Sequence, residues 1–443
     1  MERNCHDVTP SPSMNTSVWD AFSTRTWIIV LGLSIAVAWH CLYQLYFHPL
    51  AKYPGPLLAK FTFARAAYYA WQGNIHLDMW RCHRQYGPIV RYGPDHLLFN
   101  TASSLKNIYG MGQNTWKHRH YAAFNRRSAN LVTLYDKKEH ARRRRLIGPA
   151  FSETNMRRFE ARLSPTNLHN RYWGPPIKCS DWCSYQVFDI MTDFIFGVNY
   201  NVLQTDEYRL IINHIKDAAV RSTVLVYLPW LILGRLDKKI FRKIRLDTTV
   251  TSLAALLFHL PRNPHVYASL ASEIRTAFAN VNEISLAKLK ACTYLHACTY
   301  LHACIYECLR MSPPVGACPW REVGDGGISI DAHFIPGGYS VGTAIYSIHH
   351  NQTYFPRPYE FIPERWIVAA DNYKEQVDVA KSAYAPFLIG PRPCVGQALT
   401  YSELLLTTAM VIWKYDFKAA TGMEELGAGS LFAELGRTNP MEF

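Results

Sequence analysis

The chain has 443 residues, 49% of them hydrophobic and 14% aromatic, and a formal charge of +13. That length suits two average domains or one large one, and the apolar share excludes a disordered or collagen-like chain. No zinc finger or aromatic RNA-binding motif accompanies the charge, and its Lys and Arg residues are spread along the chain. A membrane surface and an acidic protein partner are therefore expected, and nucleic acid is not.

Near the amino end, Trp27 to Phe47 is an apolar run interrupted by His40 and Gln44, with Trp27, Tyr43, Tyr46 and Phe47 near its ends. At about 1.5 Å per residue it spans roughly 31 Å, enough for a bilayer core, with aromatics where interfacial aromatics sit. A cleaved signal peptide is the rival reading. It has a shorter apolar core and a small-residue cleavage site, whereas bulky His48, Pro49 and Leu50 follow here. The expected organisation is a lumenal segment at 1–26, a transmembrane anchor at 27–47, a proline-stiffened hinge at 48–56 and a catalytic body at 57–443. Lys52 and Lys60 place the body in the cytosol by the positive-inside rule. Asn15-Thr-Ser would be a lumenal glycosylation sequon, or a chance match.

In the body, Ile89-Val-Arg-Tyr-Gly and His96-Leu-Leu-Phe-Asn predict two strands joined at Pro94-Asp95. Helix is predicted over 137–165, in most of 182–260, over 284–312 and from Gln397 to Trp413. Between Pro313 and Pro363 Gly, Pro and β patterns return. The fold class is therefore mainly α with a minor β region, and no linker divides 57–443. Ala291-Cys-Thr-Tyr-Leu-His296 recurs as Ala297-Cys-Thr-Tyr-Leu-His302. Identical copies at a six-residue period read as a tandem duplication, not as a solenoid or a metal site. Eleven cysteines, an odd number, form no disulfide framework and suit a reducing compartment.

The strongest signal is Phe387-Leu-Ile-Gly-Pro-Arg-Pro-Cys-Val-Gly396. It matches all five fixed positions of Phe-x-x-Gly-x-Arg-x-Cys-x-Gly, so the chain resembles the cytochrome P-450 family, and fungal secondary-metabolism members in the segment Tyr46 to Pro56. A thiolate pushes electron density onto haem iron, and its charge is steadied by amide N–H groups and the positive end of the following helix. The resemblance makes Cys394 the axial ligand of haem b (iron protoporphyrin IX). Gly390 and Gly396 allow tight turning and close approach to the porphyrin. Arg392 suits a propionate, and Phe387 shields the sulfur. A lone buried structural cysteine is the bland alternative.

Upstream, Glu307-Cys-Leu-Arg310 and Pro363-Glu-Arg-Trp366 match two further motifs. The resemblance makes Glu307, Arg310 and Arg365 a buried structural triad; alone, Glu307 and Arg310 would be an ordinary surface pair. In Glu139-His-Ala-Arg-Arg-Arg-Arg145, His140 and Arg144 take haem-contacting positions, while Arg142, Arg143 and Arg145 form a solvated face. Arg321 resembles another propionate ligand, and His349 does so more weakly.

The departures lie on the distal side. Asp247 and Thr248 keep residue types that relay protons in general acid catalysis. However, Ile244 and Arg245 stand where small residues should open a groove for dioxygen, and several tens of residues are missing before Leu246. The distal helix is therefore expected to be truncated, and a bulky charge there is unfavourable unless paired. The six-residue duplication would rotate a helix face to about 120° from register unless extruded. The carboxy end is also short of the family pattern.

The resemblance implies a monooxygenase that inserts one oxygen atom into a lipophilic small molecule. Its electrons would come from an NADPH-cytochrome reductase, a flavoprotein, and it would sit in the endoplasmic reticulum membrane. The alternatives are a haem-thiolate isomerase or lyase, and an impaired remnant or faulty gene model.

Overall fold

In a computed structural model, the structure describes residues 15–124, 130–152, 179–198, 200–209, 223–229, 248–291, 299–369, 372–416 and 418. The chain forms two compact units, 1–53 and 54–443. The first holds α1 (Asn15–Leu42), which runs on as a π-helical turn over Tyr43–Phe47. Thr26–Phe47 is long and apolar enough to cross a membrane, with a mean hydropathy of 1.8 and only 6% of it buried.

The second unit is mostly helical with a small sheet. It opens with α2 (Ala64–Trp71) and α3 (Ile75–Tyr86), then β1 (Ile89–Gly93) and β2 (His96–Phe99), paired antiparallel around the expected Pro94-Asp95 turn. Helix α4 (Ala102–Tyr109) is capped by the Thr101 hydroxyl and leads to β3 (Thr115–Lys117) and α5 (Lys137–Ile147). The predicted basic helix over 137–165 thus ends as α-helix at Ile147 and turns 3-10 over Gly148–Phe151; residues 153–178 lie outside the described residues. Next come α6 (Cys179–Phe196), α7 (Thr248–Arg262), α8 (Pro264–Ala277) and α9 (Leu286–Ala291). Then follow α10 (Thr299–Met311), β4 (Arg321–Val323), β5 (Ile328–Ile330), β6 (His333–Ile335), β7 (Ser340–Thr343) and α11 (Ile345–His349). The last are α12 (Lys374–Ser382) and α13 (Gln397–Lys414). Strand order in the larger sheet is β1-β2-β7-β4-β3, and β5 pairs with β6 separately.

The core explains these helices. On α10, Leu301, Cys304, Ile305, Cys308 and Leu309 recur at helical spacing and are all buried, so one stripe faces α7, α8 and α13. Thr251 to Leu260 of α7 are all buried, as expected of a helix enclosed on every side.

The single helix expected over 284–312 is two. Helix α9 ends at Ala291, residues 292–298 lie outside the described residues, and α10 starts at Thr299. Its start is fixed from α8: the Glu273 carboxylate accepts the Tyr300 and Leu301 N–H groups at 2.8 and 2.9 Å. Those are first-turn donors with no partner inside their own helix, at its positive end. The first copy of the repeat therefore precedes α10, and the register of Glu307 within α10 does not carry the extra residues.

Candidate functional site

Cys394 sits in a loop just before α13, and its thiol is free and exposed. The loop is closed by the Cys394 N–H donating to the Phe387 carbonyl at 2.9 Å, and the Leu388 N–H donates to Ala385 at 3.1 Å. Gly390 adopts φ +78°, and a Cβ there would meet the Tyr109 carbonyl oxygen at 1.8 Å, so only glycine fits. Gly396 has φ −83°, and a Cβ there would meet only the Cys394 Sγ, at an ordinary 3.9 Å, so among the described residues nothing demands glycine. Phe387 packs on Tyr401 of α13, with ring centroids 5.1 Å apart.

Two arginines stitch this loop to the α5 region. Arg144 Nη1 donates to the Pro393 carbonyl at 2.6 Å. Arg392 donates to the Leu134 and Tyr135 carbonyls at 2.6 and 2.8 Å. Helix α5 is set by Asp136, whose carboxylate accepts the Glu139 N–H at 2.6 Å, as a helix N-cap does. One turn of helix separates buried His140 from Arg144, placing both on one face, while Arg142 and Arg143 pair with Glu139 outside.

Strand pairing adds two more cations. In the β3–β4 register Lys117 stands opposite Arg321, a like-charge pairing that opposes the sheet unless an anion intervenes. Arg321 is buried, donates to the Pro319 and Trp320 carbonyls and lies over the Tyr109 ring. Burial, then Arg321 and Arg392, push the Lys117 ammonium down to about 7. Burial, then Arg392, Lys117, Arg144 and Arg321, push the His140 imidazole down to about 4. Among the described residues, no carboxylate lies within ion-pair distance of Lys117, Arg144, Arg321 or Arg392. The sequence reading missed Lys117: its signal is a strand pairing with Arg321 that no local pattern reveals.

A second charged cluster lies on α10. Glu307 and Arg310 are completely buried and bonded through two contacts of 2.9 Å. Glu307 also accepts from Arg365 Nε and the Ile362 N–H at 3.0 Å, and from the Trp366 indole at 2.9 Å. Arg310 donates onward to the carbonyls of His349 and Pro358 at 2.8 Å. The structure thus brings the three charged residues together and adds Trp366, which the motif Pro363-Glu-Arg-Trp366 already displayed. It is no surface pair.

His349 does not join the cations around Cys394. It is fully buried, its Nδ1 lies 3.2 Å from the Arg310 carbonyl, and its Nε2 accepts the Ala385 N–H at 3.0 Å. Both ring nitrogens are committed, so the weak expectation of a propionate ligand is corrected. Of the distal candidates, Ile244, Arg245 and Asp247 lie outside the described residues, and Thr248 is described only as the first residue of α7.

A thiol loop closed by a glycine and set beside a partly buried group of cations with no carboxylate in ion-pair distance among the described residues suits one prosthetic group with a soft-metal centre and an acidic edge. The protein-family model described as Cytochrome P450 matches residues 52–245 and 246–429. The chain belongs to the cytochrome P450 family. By that membership it is an oxidoreductase of the monooxygenase kind, and a haem-thiolate cofactor is implied. The cytochrome P450 monooxygenase poxM of Penicillium oxalicum is 36% identical, over 89% of this chain and 90% of the relative. AKT7 of Alternaria alternata is 35% identical, over 91% of each chain. The monooxygenase atnE of Emericella nidulans is 34% identical, over 91% of this chain and 92% of the relative.

Two features of these matches bear on the distal side of this P450. The two stretches matched by the family model meet between Arg245 and Leu246. The poxM alignment runs over 475 positions yet takes in 89% of the 443 residues, so about 80 of its positions have no residue here. The residues present fit a haem: Cys394 offers a free, exposed thiol of the kind that ligates haem iron. The anion-free cations match the two carboxylates of a haem edge.

Proposed function

We propose that this chain is a haem b monooxygenase acting on a lipophilic small molecule in fungal secondary metabolism, with Cys394 as the axial ligand. The observation that carries the reading is the free, exposed Cys394 thiol in a loop tied by Arg144 and Arg392 to a cluster of otherwise unneutralised cations. The apolar helix at 27–47 anchors it as a single span in the endoplasmic reticulum membrane. Residues 48–56 act as the hinge, and the body at 57–443 faces the cytosol, where an NADPH-cytochrome reductase supplies electrons.

Haem, when bound, supplies the activation of dioxygen. The chain's own residues do the rest. Cys394 would present its sulfur to the haem iron from the loop just before α13. Arg144, Arg321, Arg392 and Lys117 would neutralise the propionates, and His140, a neutral imidazole, would offer them a hydrogen bond and no charge. Phe387 excludes water beside the sulfur. Glu307, Arg310 and Arg365 hold the scaffold behind the loop without touching the chemistry. Asp247 and Thr248 pass protons on the distal side.

Replacing Cys394 with Ala tests the ligand. The red-shifted band of the reduced carbon-monoxide complex, which marks thiolate ligation, should vanish; its persistence would sink the assignment. Protease protection of intact microsomes tests the anchor: a protected catalytic body would refute it.

A second reading concerns the activity of this sequence. The family model's division at Arg245–Leu246 and the alignment positions without a residue here support a distal helix truncated by several tens of residues. In the register of the family motif Ile244 and Arg245 stand where small residues open the groove that dioxygen needs, so haem binding and turnover separate. Product formed per NADPH consumed should be low for this chain and high for one with the helix restored. Equal tight coupling in both would show that the residues before Leu246 replace the missing turns.

A further inference from the structure

We propose that His349 is a positioning residue for the Cys394 thiolate, a single imidazole that ties the buried charge cluster of α10 to the loop carrying the sulfur. The inference rests on the reading of Cys394 as the iron ligand. The geometry is a clasp closed in both directions. The Arg310 guanidinium donates to the His349 carbonyl at 2.8 Å, and His349 Nδ1 lies 3.2 Å from the Arg310 carbonyl. A carbonyl oxygen only accepts, so Nδ1 carries the proton. Nε2 is then bare, and it accepts the Ala385 N–H at 3.0 Å.

From Ala385 the connection to sulfur is short. The Ala385 carbonyl accepts the Leu388 N–H at 3.1 Å, and the neighbouring Phe387 carbonyl accepts the Cys394 N–H at 2.9 Å. The imidazole also stacks on Tyr384, with centroids 5.5 Å apart and planes 15° apart, so the chain entering the loop is held by its backbone and its side chain together. The ring is fully buried in α11, next to Arg310, and has no water to fall back on. An apolar side chain there would leave the Ala385 N–H and the Arg310 carbonyl buried without this partner, and the loop would be free to shift by the small distances that decide whether sulfur reaches iron.

The test compares His349→Leu, which keeps a buried apolar side chain but removes both ring nitrogens, with Leu270→Ala. Leu270 is buried on α8 and makes no hydrogen bond through its side chain, and the second variant measures what plain destabilisation of the core does. Full-length chains loaded with haem are reduced under carbon monoxide. The ratio of the band without thiolate ligation to the band with it should rise about tenfold in His349→Leu, the effect of losing the hydrogen bond that reaches the loop, from the Ala385 N–H to Nε2. Leu270→Ala, with its melting temperature lowered as in His349→Leu, should keep the band ratio of the unaltered chain.

An unchanged ratio in His349→Leu overturns the proposal, as does an equal rise in both variants. Absence of the thiolate band from the unaltered chain would instead overturn the reading of Cys394, and the proposal with it. If His349→Leu does not accumulate, isotope-labelled histidine in the unaltered chain decides the matter. The His349 ring should stay neutral with its proton on Nδ1 from about pH 8 to about pH 5, where an ordinary imidazole titrates. A proton on Nε2, or titration in that range, would break the clasp.

Discussion

Two clusters of charge, one closed and one open, divide the work of this protein. Around Glu307 every charge is answered from within: one carboxylate faces two guanidinium groups, an indole N–H and a backbone N–H, all at 2.9–3.0 Å. Around Cys394 the cations Lys117, Arg144, Arg321 and Arg392 donate to carbonyl oxygens or lie over tyrosine rings, and among the described residues none has a carboxylate within ion-pair distance. A closed cluster spends its interactions on holding helix to loop. An open one is strained until an anion arrives, and that incompleteness makes it a binding site.

Breaking the closed cluster should have the largest effect. Glu307→Gln leaves two buried guanidinium groups without their counter-charge, which should destabilise the fold by about 3–5 kcal/mol. Chemical unfolding would measure it, and a loss below about 1 kcal/mol would mean that Arg310 and Arg365 find other partners.

Acid probes the same region more gently. Burial first, and then Arg310, hold the imidazoles of His349 and His350 well below their ordinary value; His259 lies beside Glu307 and Arg310 and is likewise held down by burial. His349 and His259 are pushed to about 3. Their folded values lie below their unfolded ones, so the unfolded chain takes up protons that the folded chain refuses. Stability should therefore fall as pH drops from about 6.5 towards 3, by about 1.4 kcal/mol per histidine per pH unit. Melting temperatures recorded from pH 7 downwards check the slope. A flat profile to about pH 5 would show that these rings accept protons in place.

The open cluster should respond to its ligand rather than to unfolding. Lys117 is held down to about 7. Docked propionates would raise it, so haem binding takes up a proton above about pH 7 and retention should weaken as pH rises further. Lys117→Met should weaken haem retention about tenfold and flatten that dependence, as followed by haem transfer to an acceptor protein. An unchanged pH profile in Lys117→Met would remove Lys117 from the site. The smallest effect belongs to the outer face of α5: Arg142→Gln breaks an exposed pair with Glu139 and should leave both the melting temperature and haem retention unchanged.

Much of this was legible in the sequence because the chemistry and the spacing coincide locally. The strands at 89–93 and 96–99, α13 and the loop before it are continuous patterns, and the Glu307–Arg310 pair is one helix turn. The rest depends on contacts between distant segments. Lys117 meets Arg321 only through the β3–β4 register. His349 was a candidate haem contact through resemblance to a propionate ligand; what fixes its place is the backbone of Arg310 and Ala385, which side-chain patterns do not encode. The break between α9 and α10 was hidden because the start of α10 is fixed by Glu273, which lies on α8.

That Glu273 cap also bears on heredity. Deleting Ala291–His296 or Ala297–His302 yields the same protein, because the two copies are identical. In every such chain a Tyr-Leu pair reaches Glu273, and the span from that pair to Glu307 is unchanged. Copying errors that add or drop a unit of this repeat are thus hidden from the part of α10 that cannot tolerate them. Natural isolates can be expected to differ in repeat number here while keeping an invariant distance from the capped Tyr-Leu pair to the Glu307 carboxylate.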